Sequence, residues 1–352
     1  MPAAGAGAPL VSVCVCTFKR HGLLPLLLAS LARQTLGLAQ FEIVVVDNDA
    51  AGSAAGAVAE FGQMHPAVRL TYSVEPVSGL SHARNRTVRM ARGQLLAFID
   101  DDEQAELDWL AELVGTFRKH NADLVLGPVH PIFAPGTPDW VRAVEQRPNP
   151  QRFATGQVVP AAVGGCGNAL LVAAALGERH SEPFQARFSR TGGGDGDLFN
   201  WLRQRGAHIV WCSSALAGEH IPPERQTLRF YLARSLRFSA VFWREQYQVM
   251  RGWKVVFQLL AGLGMAVAFG IAGVLLLVVS WRRAVPLLMV SMRGIGRVRG
   301  KAFQTSFFLP DCTPNTAEQR WDRAPEALEP AFGCRAKSVG RGQPSRKASF
   351  LA

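Results

Sequence analysis

Twenty-five consecutive residues, Val255 to Val279, carry no charged side chain, and Gln258 is the one strongly polar residue among them. As a helix rising 1.5 Å per residue, such a segment reaches about 37 Å, enough to cross the hydrocarbon of a bilayer with some tilt. Gly262, Gly264, Gly270 and Gly273 weaken it as a helix in water, yet glycine is common in membrane helices. The flanks leave its topology open. Arg251 and Lys254 precede it, and Arg282, Arg283, Arg293, Arg297, Arg299 and Lys301 follow it, whereas a simple span gathers its basic residues mainly on one side. A second apolar run, Ala284 to Met292, is too short to span, so a re-entrant or in-plane segment fits as well as a single crossing. The alternative is a buried helix in a soluble core.

The rest of the 352-residue chain is of globular type. It is 48% hydrophobic and 18% charged, too apolar for disorder and long enough for one large domain with an appendage. From residue 10 to about 130, apolar runs alternate with helical patterns in the βαβ manner. Strands are expected at Leu10 to Cys16, Phe41 to Val46, Val68 to Val74, Leu95 to Ile99 and Asp123 to Leu126. Helices are expected at Leu23 to Gln34, Ser81 to Arg92 and Leu107 to His120. Residues 131–165, rich in Pro and Gly, read as a long functional loop. Residues 166–250 mix short strands with helices at Asp197 to Arg205 and Thr227 to Gln246. After about Thr305 the chain turns polar, and a poorly ordered tail is expected. Met1 to Pro9 lacks the basic start and apolar core of a signal peptide.

Lys and Arg number 38 against 27 Asp and Glu, giving a net charge of +11. Only six of the 38 are Lys, so the excess is mostly guanidinium, whose planar fork suits phosphate and diphosphate. That charge permits nucleic acid, anionic lipid or phosphorylated ligands. No nucleic-acid motif and no aromatic-basic interleaving is visible, so nucleic acid is not an expected partner. Of six cysteines, Cys14 and Cys16 share one face of a strand and the others are scattered singly. No pair has zinc-ligand spacing, and reduced thiols in a cytosolic compartment are expected.

In a parallel α/β sheet, ligands collect at the carboxyl ends of strands. The first strand runs into Thr17-Phe18-Lys19-Arg20, with none of the glycines that a dinucleotide-binding turn requires. The second runs into Asp47, which could accept a hydrogen bond from a uracil or ribose near Arg20, or simply cap a helix. The sharpest signal is Leu95 to Ile99 entering Asp100-Asp101-Asp102-Glu103. Adjacent carboxylates repel unless a cation or a set of donors compensates. A hard ion such as Mg²⁺ or Mn²⁺ takes one or two carboxylates and completes its shell with diphosphate oxygens. Acids favoured at a helix N-terminus would explain only one or two of the four.

Taken together, the strand-Thr17-Phe18-Lys19-Arg20 opening, Val44-Val45-Val46-Asp47-Asn48, Gly79-Leu80-Ser81-His82-Ala83-Arg84-Asn85 and Phe98 to Glu103 resemble inverting family 2 glycosyltransferases of the GT-A fold, bacterial exopolysaccharide enzymes of the succinoglycan type above all. The resemblance covers roughly residues 10 to 305. It implies a Rossmann-like mixed α/β sheet flanked by helices, followed by a membrane-associated helical segment. It implies that Thr17, Arg20, Asp47 and Glu75 surround the nucleotide, that Arg84 lies near its phosphates and Asp100 near the ribose or diphosphate, and that Asp102 holds the metal. Arg84 and Asn85 could otherwise be helix-surface residues.

The second half supplies the acceptor side. Gly164 to Asn168 resembles the family's turn before an acceptor-facing strand, or is a plain Gly-rich turn. In Thr191-Gly192-Gly193-Gly194-Asp195-Gly196-Asp197-Leu198-Phe199, the family's catalytic base corresponds to Asp195, with Asp197 its competitor or a helix cap. Gly194 stands where many relatives carry Glu. His220 resembles a position near the metal or diphosphate, or is structural. Arg225, Arg229, Arg234 and Arg237 recur at spacings that share much of one helix face. The expected organisation is a flexible start (1–9), a glycosyltransferase domain (10–250, with a nucleotide-sugar half to 130 and an acceptor half after it), a membrane-associated segment (251–305) and a tail (306–352). The expected activity is transfer of a hexose from a nucleotide-diphosphate sugar, UDP-linked, to a polyprenyl-diphosphate-linked oligosaccharide at the cytoplasmic face of the inner membrane. The alternatives are a metal-dependent nucleotidyl- or phosphoryl-transferase, and an inactive membrane-binding scaffold.

Overall fold

The computed structural model describes residues 8–20, 22–145, 153–159, 165–189, 191–250 and 252–302. The tail expected at 306–352 lies outside the described residues. Four apolar runs form parallel strands: β1 (Val11–Thr17), β2 (Phe41–Asp47), β3 (Arg69–Val74) and β4 (Leu95–Asp100). The helices α1 (Leu24–Leu31), α2 (Ala55–Met64) and α3 (Leu80–Met90) connect them. The chain continues through β5 (Glu103–Ala105), α4 (Trp109–His120), β6 (Leu124–Leu126), β7 (Val129–Phe133), α5 (Asp139–Glu145), β8 (Asn168–Val172), α6 (Gly194–Gln204), β9 (Ile209–Trp211) and β10 (Ala217–Ile221). It ends in three long helices, α7 (Leu228–Val249), α8 (Trp253–Leu277) and α9 (Trp281–Ala302).

The seven-stranded sheet has the order β3-β2-β1-β4-β8-β6-β9, with β8 antiparallel to both neighbours. Both faces are buried, which is why the strands read as continuous apolar runs and not as alternating ones. Val13 and Val15 of β1 pack with Leu24, Leu28 and Trp109 on one side; Cys14, Leu96 and Phe98 pack with Phe184, Leu198 and Leu202 on the other. Burial pushes the Cys14 thiol up to about 12, so it packs as a small hydrophobe. The four described cysteines, Cys14, Cys16, Cys166 and Cys212, are all free. A second, three-stranded sheet, β5-β10-β7, stands beside the carboxyl end of β4.

Residues 131–165 differ from the expected loop. Their first part is β7, paired with β10, followed by α5, whose Val141 is fully buried against Ile221 and Tyr231. Proline in β7 (Pro131) is tolerated because the strand lies at the edge of its small sheet.

The uncharged segment is one continuous helix, α8, and by length and composition a candidate membrane segment. Along α8 a row of large apolar side chains is open to the surroundings, among them Phe257, Leu260, Leu263, Ile271 and Val278. Each would gain roughly 1.5–3 kcal/mol on full burial, so the row is costly in water. On its other side α8 packs antiparallel on α9: the backbone of Gly294 lies so close to Gly262 that a Cβ at 294 would meet the Gly262 carbonyl at 2.5 Å, and Gly273 abuts Leu288. The opposite face of α9 is covered along its length. Trp281 lies 6.4 Å from Trp140 of α5, Met289 joins the cluster of Tyr231 and Ile221, and Gly296 and Gly300 abut Ala240 and Trp243 of α7. Both ends of the α8–α9 hairpin are therefore tied to the body that carries the sheets.

Candidate active site

The carboxyl ends of β1 and β4 bring Thr17, Arg20 and the acidic run into one cleft. Arg20 donates to Asp101 Oδ1 at 2.7 Å and pairs with Asp102 Oδ2 at 2.9 Å. A second guanidinium, Arg225, lies 2.9 Å from the same Asp102 oxygen and donates to Glu219 Oε1 at 2.8 Å. Adjacent carboxylates thus persist because arginines from distant segments compensate them. Burial pushes Asp101 up to about 6, against the pull of Arg20. Glu103 is buried, accepts the Asp100 backbone N–H at 3.1 Å, and is held well above the usual carboxylate range by burial and by Asp100. Arg225 sits in a 3₁₀ turn (Pro223–Arg225) ahead of α7, not on a shared helix face with Arg229, Arg234 and Arg237 as its spacing suggested. Proline at 222 and 223 keeps this segment out of α7.

The residues expected around the nucleotide divide. Asp47 is fully buried: Oδ1 accepts from Asp49 N at 2.9 Å, and Oδ2 from Ala54 N at 2.7 Å and the Tyr72 hydroxyl at 3.1 Å. It shapes the β2–α2 loop without capping α2, whose N-cap is Ala54. Glu75 accepts Val77 N at 3.1 Å and lies 3.6 Å from Arg86. Thr17 closes β1 with its side chain buried. Asn85 is not a surface residue. Its amide makes a reciprocal pair with the Phe184 backbone, 2.8 and 2.9 Å, tying α3 to the second half.

Arg84 joins the two halves. It is 6% exposed, lies 3.3 Å from Asp100 Oδ1, and makes a short hydrogen bond to Asp195 Oδ1. The other Asp195 oxygen accepts the Cys166 backbone N–H at 3.0 Å. Asp195 lies in the first turn of α6 and keeps 28% of its side chain exposed. A carboxylate offers about four lone-pair sites, so two donors orient it without exhausting it. The glycine turn before β8 serves the same geometry, because a Cβ at Gly167 would meet Glu103 Oε1 at 2.6 Å. Gly164 lies outside the described residues. Asp197 does not cap α6; the N-cap is Gly193, at φ 95°. Asp197 lies four residues beyond that cap, inside the helix, and pairs with Arg179 at 2.9 Å and Arg187 at 3.2 Å.

Asp102 and His220, the residues expected to hold a divalent cation, are brought together by the backbone, and Asp102 Oδ2 is already paired with Arg20 and Arg225. The His220 backbone N–H donates to the Asp102 carbonyl at 2.9 Å, and its Nε2 is buried without a hydrogen-bond partner. Burial favours the neutral imidazole over the pull of Asp102, and the neutral ring is the ligating form. Among the described residues no group of three or more His, Cys, Asp or Glu surrounds a metal position. One carboxylate and one imidazole suffice where diphosphate and water complete the shell. Glu219, with its pKa raised by burial and by Asp102, belongs to the same neighbourhood and carries no motif of its own.

Residues 12–172 match the pattern of Glycosyl transferase family 2. The succinoglycan biosynthesis protein ExoM of Rhizobium meliloti (strain 1021) is 32% identical over 230 residues, 64% of this chain and 72% of that protein. Validoxylamine A glucosyltransferase of Streptomyces hygroscopicus subsp. jinggangensis (strain 5008) is 36% identical over 102 residues, 28% of this chain and 24% of that one. Among solved structures, the mannosyltransferase PcManGT from Pyrobaculum calidifontis, in complex with GDP-Man and Mn²⁺, has a TM-score of 0.57 at 17% identity, covering 83% of this chain and 87% of that chain. The likeness is one of fold: a mixed α/β sheet with flanking helices, the GT-A arrangement.

Proposed function

The chain belongs to glycosyl transferase family 2, and from that premise we propose that it moves a hexose, with inversion, from a nucleotide-diphosphate sugar to a polyprenyl-diphosphate-linked oligosaccharide in exopolysaccharide or cell-surface glycan synthesis. The observation that carries this reading is the meeting of Asp195 with Asp100 across the single guanidinium of Arg84. One acid comes from the donor half and the other from the acceptor half, and Arg84 fixes their spacing. UDP as the nucleotide rests on the sequence resemblance.

In inverting transfer the acceptor oxygen attacks the anomeric carbon from the face opposite the diphosphate. The new C–O bond forms as the bond to the leaving oxygen breaks, and Asp195 takes the acceptor's hydroxyl proton. The Cys166 N–H and Arg84 hold that carboxylate in place. Arg20 and Arg225 keep the acidic run compact, and Asp102 with His220 would hold Mg²⁺ or Mn²⁺. When bound, such a cation neutralises charge on the departing nucleoside diphosphate. Asp100 and Arg84 face the ribose or diphosphate, and Thr17, Arg20 and Glu75 line the nucleotide side. Asp47 enters through the loop it shapes.

We read residues 10–250 as the catalytic unit and 251–305 as the membrane-associated segment. The helix α8 lies in the membrane surface rather than across it. A crossing α8 would carry α9 and α5 into the hydrocarbon with their arginines, and the apolar stretch of α9, Ala284 to Met292, is less than half of the roughly 30 Å core. The proposed location is the cytoplasmic face of the inner membrane.

A panel of nucleotide sugars scored for metal-dependent release of nucleoside diphosphate tests the reading. One donor should release nucleoside diphosphate and none should release pyrophosphate. Pyrophosphate or inorganic phosphate as product would indicate a nucleotidyl- or phosphoryl-transferase, and no turnover of any donor would indicate a scaffold.

A further inference from the structure

Apart from the acidic cleft, α5, α7, α8 and α9 line a half-open cavity of about 500 Å³. Arg234, Arg293 and Arg297 line it together with Phe238, Trp243 and Met265, and among the described residues Glu145 is the one carboxylate in its wall. Arg293 and Arg297 are four residues apart on α9 and so share a face. The Arg297 guanidinium carbon lies 4.3 Å from the centre of the Trp243 ring, yet its buried Nε has no hydrogen-bond partner. The Tyr231 hydroxyl, also in this wall, is buried beside Glu145. Arg234 donates to Glu145 Oε1 at 3.1 Å, which leaves an excess of two positive charges over the wall.

Two further features bear on the ligand. At its inner end the cavity shares a wall with the acidic cleft: Tyr231 packs on Ile221, the last residue of β10, and β10 carries Glu219 and His220. Outward, the exposed Phe238 of α7 adjoins the helical layer in which α8 presents its apolar row. A bare anion would need no aromatic wall, and a neutral hydrocarbon would leave two guanidiniums, Arg293 and Arg297, without a counter-charge. A planar guanidinium fork matches phosphate oxygens two at a time.

We propose that this cavity seats the phosphate or diphosphate head of a prenyl-type lipid, with the chain running out over the apolar face of α8. This deepens the glycosyltransferase reading and rests on it only for the lipid's role as carrier of the acceptor sugar. The head group would lie against Arg293 and Arg297, beneath Trp243, one strand away from the donor acids.

Titration of the full chain in detergent with farnesyl diphosphate, followed by calorimetry and by Trp243 fluorescence, tests it without any sugar donor. Inorganic diphosphate, farnesol and phosphatidylglycerol vesicles are the comparison arms. Farnesyl diphosphate should bind at least about tenfold tighter than either inorganic diphosphate or farnesol, since one charge-assisted contact or a few buried methylenes each account for that factor. Arg293→Gln with Arg297→Gln should lose about tenfold or more, and Arg229→Gln, on α7 outside the cavity, should lose nothing. Arg293→Gln alone, at an exposed position, keeps the test valid if the double variant fails to fold. Equal binding of inorganic diphosphate, equal binding of farnesol, vesicle binding with the same arginine dependence, or indifference to both substitutions would each overturn the proposal. Binding of nucleotide sugar is measured on the same samples. Its absence would count against the glycosyltransferase reading and leave the lipid result standing.

Discussion

In the cleft at the end of β4 every arginine faces carboxylates: Arg20 holds Asp101 and Asp102, Arg84 holds Asp100 and Asp195, and Arg225 holds Asp102 and Glu219. In the cavity under α9, among the described residues, three guanidiniums face the single carboxylate of Glu145. The first region is closed on itself, so a ligand there must compete with ion pairs already made. The second carries uncompensated charge and an unpaired buried donor, Arg297 Nε, so an anion would complete it. The contrast teaches that one residue type serves two ends of one reaction: arginine as an organiser of acids on the donor side, and arginine as an anion receptor on the membrane side.

The donor side breaks most severely at its metal position. Asp102→Asn, or chelation with EDTA, should abolish transfer as read by product formation. The melting temperature should fall by only a few degrees, because Arg20 keeps Asp101 and Arg225 keeps Glu219. Full activity in EDTA would remove the metal from the account. Arg84→Gln comes next, with an expected loss of about a hundredfold in kcat, since misplacing a reacting group by about 1 Å costs that much. It should also lower stability by about 1–3 kcal/mol in urea titration, because two carboxylates lose a buried partner. A wild-type kcat in that variant would show that the Asp100–Arg84–Asp195 bridge is not part of the working site.

The membrane side is sharpened by substitutions that leave the α8–α9 packing intact. Leu260→Glu, Leu263→Glu and Ile271→Glu together lie on the exposed row and should shift the protein from the membrane fraction to the soluble one. Removing residues 253–352 is a poorer test, because it strips α9 from α7. If the triple variant stays in the membrane, the surface-lying reading of α8 fails. The smallest effect belongs to Asp197→Asn. One partner, Arg187, is largely at the surface and the other, Arg179, is partly buried, so a few-fold change in rate and about 1 kcal/mol in stability are expected from kinetics and thermal melts.

How far the sequence could be read follows the same division. The strands β1, β2 and β4 were legible because a parallel strand buried on both faces must be a nearly unbroken apolar run. The helix α2 was not: Ala55–Met64 is rich in Ala and Gly, and only Val58 and Phe61 are buried, so it shows almost no periodicity. The small sheet was equally silent, because β5 and β10 are short and mix apolar with polar positions. Within the site, the acidic run and Asp195 could be placed from local spacing and resemblance. The Arg84–Asp195 bridge joins residues 111 apart in the chain, and no local pattern encodes it. Nor does any local pattern show that Asp47 is engaged by its own loop, or that Arg225 leaves the helix face its spacing suggested.

The central claim is that Asp195 works on the acceptor's proton and leaves the donor nucleotide alone. Asp195→Asn keeps the shape of the side chain and removes its basicity. Nucleotide-sugar affinity by calorimetry and transfer by product formation are then measured on the same preparation. The account predicts donor affinity within a few-fold of wild type and a transfer rate lower by about 10²–10⁴, the usual worth of general-base assistance. A variant that transfers sugar at the wild-type rate, or one that loses the donor along with the rate, would contradict it.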